Sequence, residues 1–112
     1  MEKEEMQELT TAVYDIVRLI PAGRATSYGA IAQAVGRPNH SRLVGRIMGT
    51  CDSVRTGVPA HRVVNSQGVL SARAAFETPG RMQELLESEG VVVRENRIVH
   101  WKKTSWNPLE EL

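Results

Sequence analysis

Two short apolar-faced segments lie between residues 27 and 49, separated by Arg37-Pro38-Asn39-His40. In the first, Ser27 can cap a helix, Ala30, Ile31, Ala34 and Val35 supply an apolar face, and Gly36 stops it. The second runs from about Ser41, turns Leu43, Val44, Ile47 and Met48 inward and ends at Gly49. Two short helices joined by a few residues containing glycine have the layout of a helix-turn-helix. Arg42 and Arg46, at i and i+4, then share one face of the second helix. A groove-facing helix needs side chains that reach phosphates and base edges, and arginine does both. A packing corner with solvated arginines has the same spacing, so the pattern alone leaves both readings open.

The flanks complete the layout. Met6, Leu9, Val13, Ile16, Val17 and Ile20 fall on one face of an amphipathic helix that ends at Pro21-Ala22-Gly23. After the helix pair, the valines of Val58-Pro59-Ala60-His61-Arg62-Val63-Val64 predict a short buried strand, and Asn65-Ser66-Gln67-Gly68 a turn. Thr78-Pro79 reads as the cap and first residue of a helix carrying Met82, Leu85 and Leu86 and closed by Gly90. Val91, Val92 and Val93 predict a strand, residues 94–97 a turn, and Ile98-Val99-His100 a return strand. Beyond them Trp106, Asn107 and Pro108 show no strong pattern, and residues 103–112 are expected to be weakly structured. The 112 residues predict a single domain, mainly α with a small β component, of winged helix-turn-helix type.

The net charge of +1 hides an uneven distribution. Residues 21–76 hold seven arginines, no lysine and one acid, Asp52, whereas both flanks are acidic. A basic middle between acidic ends suggests a surface that faces a polyanion. A single cysteine excludes a disulfide framework within the chain. No phosphate-cradling glycine loop is present. His40, His61 and His100 are too dispersed to argue for a metal, and no cofactor is expected. No apolar run approaches the roughly 20 residues of a membrane span. The acidic start is neither a secretory signal nor a transit peptide, which predicts a cytoplasmic protein, nucleoid-associated in a bacterium.

Pro59-Ala60-His61-Arg62-Val63-Val64 resembles the active-site motif of the O6-alkylguanine-DNA alkyltransferases, with alanine where they have the reactive cysteine. Ile20-Pro21-Ala22-Gly23, Ser27-Tyr28-Gly29, Arg42-Leu43-Val44-Gly45 and Leu85-Leu86-Glu87-Ser88-Glu89-Gly90 match that family in the same order. The likeness covers roughly residues 9 to 92. The alkyltransferases move an alkyl group from guanine O6 to a cysteine thiolate, which an adjacent histidine and a glutamate help to form. His61 and Glu89 match those two residues, but Ala60 has no nucleophile, so the relay is vestigial and self-alkylation there is excluded. The chain is therefore similar to the alkyltransferase-like proteins, which lack the cysteine.

The resemblance implies a non-enzymatic protein that binds O6-alkylguanine in duplex DNA through the minor groove and flips the base into a cysteine-less pocket. Arg42 would fill the vacated space, Tyr28 would crowd the 3′ phosphate, and Ser41 and Arg46 would join them on the DNA. Tyr28, Pro59, Ala60, Val63, Ser71 and Arg73 would form the lesion pocket, with Arg73 over the purine face. A lesion that is bound but not removed must be handed on, which points to nucleotide excision repair proteins as partners. The protein is expected to act as a monomer, with no further domain ahead of this one.

Two alternatives stand beside this reading. One is an enzyme: an alkyltransferase inactivated by a Cys-to-Ala change at residue 60, or a dealkylase using Cys51. Against the first, active members follow the motif with a Tyr-x-Gly-Gly loop, whereas this chain has Leu70-Ser71-Ala72-Arg73-Ala74-Ala75-Phe76, and Cys51 aligns with their asparagine. Against the second, Cys51 lacks a Pro-Cys-His setting and follows a helix C-terminus, whose dipole disfavours thiolate. The other is a sequence-specific helix-turn-helix regulator, which leaves Pro59-Ala60-His61-Arg62 without a role.

Overall fold

The periodic face near the N-terminus becomes helix α1, Lys3–Arg18, in a computed structural model that describes residues 1–112. Leu9, Val13 and Val17 recur every fourth residue, so they stack on one side and are buried there. Strand β1 (Thr26–Ser27) leads into α2 (Tyr28–Ala34), and Ser27 Oγ accepts a hydrogen bond from the Ala30 N–H at 3.1 Å, the predicted cap. Helix α3 spans Ser41–Gly49 and buries Val44, Ile47 and Met48. It packs on α2, and α2 packs on α1, so the expected helix-turn-helix is present with α1 as its support.

The short strand β1 was not legible in the pattern. It pairs in parallel with β2 (Val63–Val64), Thr26 opposite Val63 and Ser27 opposite Val64. Consecutive strand residues point to opposite sides, and β2 thereby stands between two hydrophobic clusters. Val63 belongs with α1, α2, α3 and Trp106, and Val64 with Ala25, Leu70, Met82, Leu86 and Ile98. Between α3 and β2 lies a one-turn helix, α4 (Ser53–Thr56), capped by Asp52, whose carboxylate accepts from the Arg55 N–H at 3.1 Å.

Helix α5 covers Arg81–Ser88, with Met82 and Leu86 buried. It starts later than Thr78-Pro79 predicts: the i→i−4 ladder opens with Glu84 N–H to Gly80 O at 3.0 Å, and Thr78 only accepts a turn bond from Arg81. Gly80 has poor helical preference, and the helix begins after it. The two predicted strands are shorter than their apolar runs, β3 being Val93–Arg94 and β4 Arg97–Ile98. They form an antiparallel hairpin around Glu95 and Asn96, both at positive φ.

Residues 103–112, expected to be weakly structured, are anchored by Trp106 and Pro108, which are buried, while residues 109–112 stay exposed. Helices α6 (Trp101–Thr104) and α7 (Pro108–Glu111) lie on either side of Trp106, which is buried in the first cluster. The Trp106 N–H donates to Ala25 O at 2.8 Å, and the Ala25 N–H to Thr104 O at 3.2 Å. Arg24 donates to Thr104 O at 3.0 Å, to Ser105 O at 2.6 Å and to both Glu111 carboxylate oxygens at 3.1 Å. These partners lie some eighty residues away along the chain, out of reach of any local pattern. No helix is long and apolar enough to cross a membrane.

Candidate functional site

Pro59-Ala60-His61-Arg62 connects α4 to β2 as a single 3-10 turn over Ala60–Arg62. Three anchors fix this turn. Val63 and Val64 beyond it are locked into the two clusters. Arg62 Nη1 donates to Ile20 O, just beyond α1, at 2.9 Å. Glu89, the residue after α5, accepts from His61 Nε2 at 2.9 Å, from Arg62 Nε at 3.0 and 3.2 Å, from Arg62 Nη2, and from the Gly23 N–H at 3.4 Å.

The electrostatics of this knot are one-sided. Burial pushes the Glu89 carboxyl up, but the hydrogen bonds from Arg62 and His61 pull it down further, to about 2. Burial pushes His61 below its ordinary value, and the opposing pull of Glu89 does not restore it. The imidazole is therefore neutral at pH 7. A carboxylate only accepts, so the His61 proton sits on Nε2 and Nδ1 is the basic atom. The histidine–glutamate pair implied by the resemblance is thus assembled, next to Ala60 in the same turn.

Ala60 and His61 wall a cleft of about 560 Å³ together with Pro59, Met48, Cys51, Phe76 and Leu85. Arg81, Glu77 and Asp52 lie on the same cleft. Cys51 also lies 3.8 Å from Thr56 Oγ1. Burial, followed by the nearby Cys51, pushes the Tyr14 hydroxyl above its ordinary range. A second concavity, of about 590 Å³, is lined by Tyr28, Gly29, Ser41, Arg42, Gly45, Arg46, Asn65 and Ser66. Helix α3 serves both: its first residues line the second concavity, and Met48 lines the cleft.

The predicted site residues therefore sort into two places. Tyr28, Ser41, Arg42 and Arg46 surround one hollow, and Pro59 and Ala60 wall the other. Ser71 stands beside the first, its hydroxyl 3.3 Å from that of Tyr28. Val63 and Arg73 line neither, against expectation. Val63 is buried in the core because the strand alternation turns it under Ala60, toward α1. Arg73 begins a 3-10 turn, and its Nη1 donates to Leu70 O at 3.2 Å. Asn65 and Ser66 were missed as lining residues. The turn signal over residues 65–68 was visible, but nothing local shows which hollow a turn faces.

The basic middle is also smaller than its composition. Arg24 pairs with Glu111, Arg37 with Glu5, Arg55 with Asp52 and Arg62 with Glu89. Of the seven arginines in residues 21–76, only Arg42, Arg46 and Arg73 have no carboxylate partner. Two of these three stand in the α3 hollow.

Comparison with known proteins agrees with this geometry. The family described as "6-O-methylguanine DNA methyltransferase, DNA binding domain" matches residues 8–91. Alkyltransferase-like protein 1 of Schizosaccharomyces pombe is 38% identical over 107 residues, covering 92% of this chain and 98% of that protein. The DNA base-flipping protein of Escherichia coli K12 is 34% identical over 107 residues, covering 96% of this chain and 79% of its own. The crystal structure of S. pombe Atl1 in complex with damaged DNA containing O6-carboxymethylguanine superposes with a TM-score of 0.80 at 35% identity, over 95% of this chain and 98% of that one.

Proposed function

The chain belongs to the family of the 6-O-methylguanine DNA methyltransferase DNA-binding domain, and from that premise we propose that it reads O6-alkylguanine in duplex DNA without repairing it. One observation carries this reading. The His61–Glu89 relay is complete and held against a cleft, yet the residue beside it is Ala60, whose methyl group cannot accept an alkyl group.

The rest follows from the two hollows. Helix α3 enters the minor groove, with Ser41 and Arg46 on the backbone. Arg42 fills the stack when the damaged nucleotide leaves it, because a guanidinium can stack and donate hydrogen bonds at once. Tyr28, held by Ser71, crowds the phosphate and favours rotation. Extrusion costs a few kcal/mol. The cleft recovers this by receiving the base between Phe76, Met48 and Pro59, and its size suits a planar heterocycle with a substituent. Arg73 reaches the base only by releasing Leu70 O, so its role over the purine requires loop movement. We further propose that residues 1–112 act as one monomeric, intracellular domain, and that the bound lesion is passed to nucleotide excision repair.

The test is titration of two short duplexes at one fixed salt concentration, one with O6-methylguanine and one with guanine, followed by intact-mass measurement. Tighter binding to the lesion, with unchanged protein mass and a surviving lesion, is expected. A protein that gains one methyl would instead be an enzyme acting through Cys51. Equal binding to both duplexes would leave only a general or sequence-specific DNA binder.

A further inference from the structure

Only five of the eleven arginines lack a carboxylate partner: Arg42 and Arg46 on α3, Arg73, and Arg94 and Arg97 on the β3–β4 hairpin. The last two lie outside the basic middle, and the reading above gives them no task. We propose that this hairpin is a second DNA-backbone element, in which Arg94 and Arg97 together hold a phosphate beside the α3 hollow. The inference rests on the proposed DNA-binding function and extends its footprint.

The hairpin breaks local rules in a way that suits an anion. Arg94 and Arg97 are direct cross-strand partners, so their side chains leave the same face at close range. Like charges in that arrangement repel each other. Their opposite-face neighbours, Val93 and Ile98, are buried and hold both guanidinium groups outward. Glu95 sits between them in the turn but pairs with neither. A phosphate between the two guanidiniums turns this repulsion into two charge-assisted contacts. Departures from local rule of this kind concentrate at functional sites.

Position supplies the second argument. Arg97 Nε donates to Gln67 O at 3.2 Å, the Ile98 N–H to Gly68 O at 2.9 Å, and Trp101 Nε1 to Ser66 O at 3.0 Å. The hairpin is thus tied to the turn at residues 65–68. That turn presents Asn65 and Ser66 to the same hollow as Arg42 and Arg46. A duplex seated on α3 would have its backbone continue onto this turn and the hairpin tied to it.

Arg94 makes no side-chain hydrogen bond within the protein, so Arg94→Gln tests binding without removing a structural contact. The salt dependence of affinity is measured for guanine and O6-methylguanine duplexes, with Arg42→Gln as reference. Arg94→Gln is expected to weaken both duplexes by the same factor, about eightfold at 0.1 M salt, and to flatten the log–log salt slope by about 0.9. Adding Arg97→Gln, whose side chain holds the same phosphate, should change the slope little further. The melting temperature of Arg94→Gln should stay the same or rise as repulsion is relieved. An unchanged slope, with Arg42→Gln still impaired, overturns the proposal and leaves the hairpin for another partner, such as an acidic protein surface. A loss confined to the lesion duplex also overturns it, since a backbone contact carries no lesion information. If the wild-type protein binds neither duplex, the proposed function fails first and this inference falls with it.

Discussion

Replacing Glu89 with glutamine tests how the motif turn is held. The substitution keeps shape and removes one charge from a carboxylate that accepts from His61, Arg62 and Gly23. Burial alone would raise this carboxyl above the ordinary 4.5, yet the hydrogen bonds from Arg62 and His61 hold it at about 2. At about 1.4 kcal/mol per tenfold change, the depression amounts to about 3 kcal/mol in favour of the folded state. Removing one partner of a largely buried ion pair gives the same scale, about 3–5 kcal/mol, because Arg62 would be left without its counter-charge. A depressed carboxyl stabilises the fold above its unfolded value and loses that contribution as pH falls toward the folded value. Glu89→Gln is thus expected to be about 3 kcal/mol less stable than wild type in urea at pH 7. The gap should narrow to about 1 kcal/mol by pH 3. His61 adds an earlier slope of the same sign: its folded value lies below 6.5, so the unfolded chain takes the proton first and stability falls as pH drops through that region. A gap that stays constant from pH 7 to pH 3, or one below about 1 kcal/mol at pH 7, would refute the argument that this ion-paired knot fixes the turn.

Two further outcomes follow from the geometry. Arg42→Ala should weaken the O6-methylguanine duplex by about 1–3 kcal/mol and the guanine duplex by less, with Arg42→Lys a poor substitute; equal losses on both duplexes would reduce Arg42 to a backbone contact. Gly68→Ala should destabilise by about 1–3 kcal/mol and alter tryptophan fluorescence, because Gly68 has φ +80° and an added Cβ would stand 3.0 Å from the Trp101 ring. An unchanged urea midpoint would mean that Trp101 does not rest on that turn.

What could be read in the sequence was what repeats or punctuates locally. The faces of α1 and α3 carry helical periodicity, and the cap Ser27 and the stop Gly36 bound α2, so the helix-turn-helix was legible in outline. Strand β1 was not, since two residues show no period and its partner β2 lies 37 positions on. Trp106 and the tail escaped for the same reason: a lone aromatic has no pattern, and its anchors are Ala25 and Arg24. For the site, Ala60, His61 and Glu89 were found through resemblance, and their assembly follows from where α5 ends. Charge was the least legible property. Seven arginines promised a broad basic face, but four are neutralised by carboxylates, three of them remote in sequence, while Arg94 and Arg97 remain free in a flank that is acidic by composition.

The anchoring of the tail also sets an order of events during synthesis. Ala25 and Arg24 are made early, yet the groups that satisfy them belong to residues 104–111. Until that stretch clears the ribosome, one backbone N–H, one carbonyl and a guanidinium beside β1 lack their protein partners, and the first cluster lacks Trp106. Helices α1, α2 and α3 can associate while translation continues, because their contacts are near in sequence. The ribbon of β1 and β2 can close next. The final locking step must wait for the tail, so a stalled or clipped chain would hold the helices in place with an unsealed seam behind the motif turn.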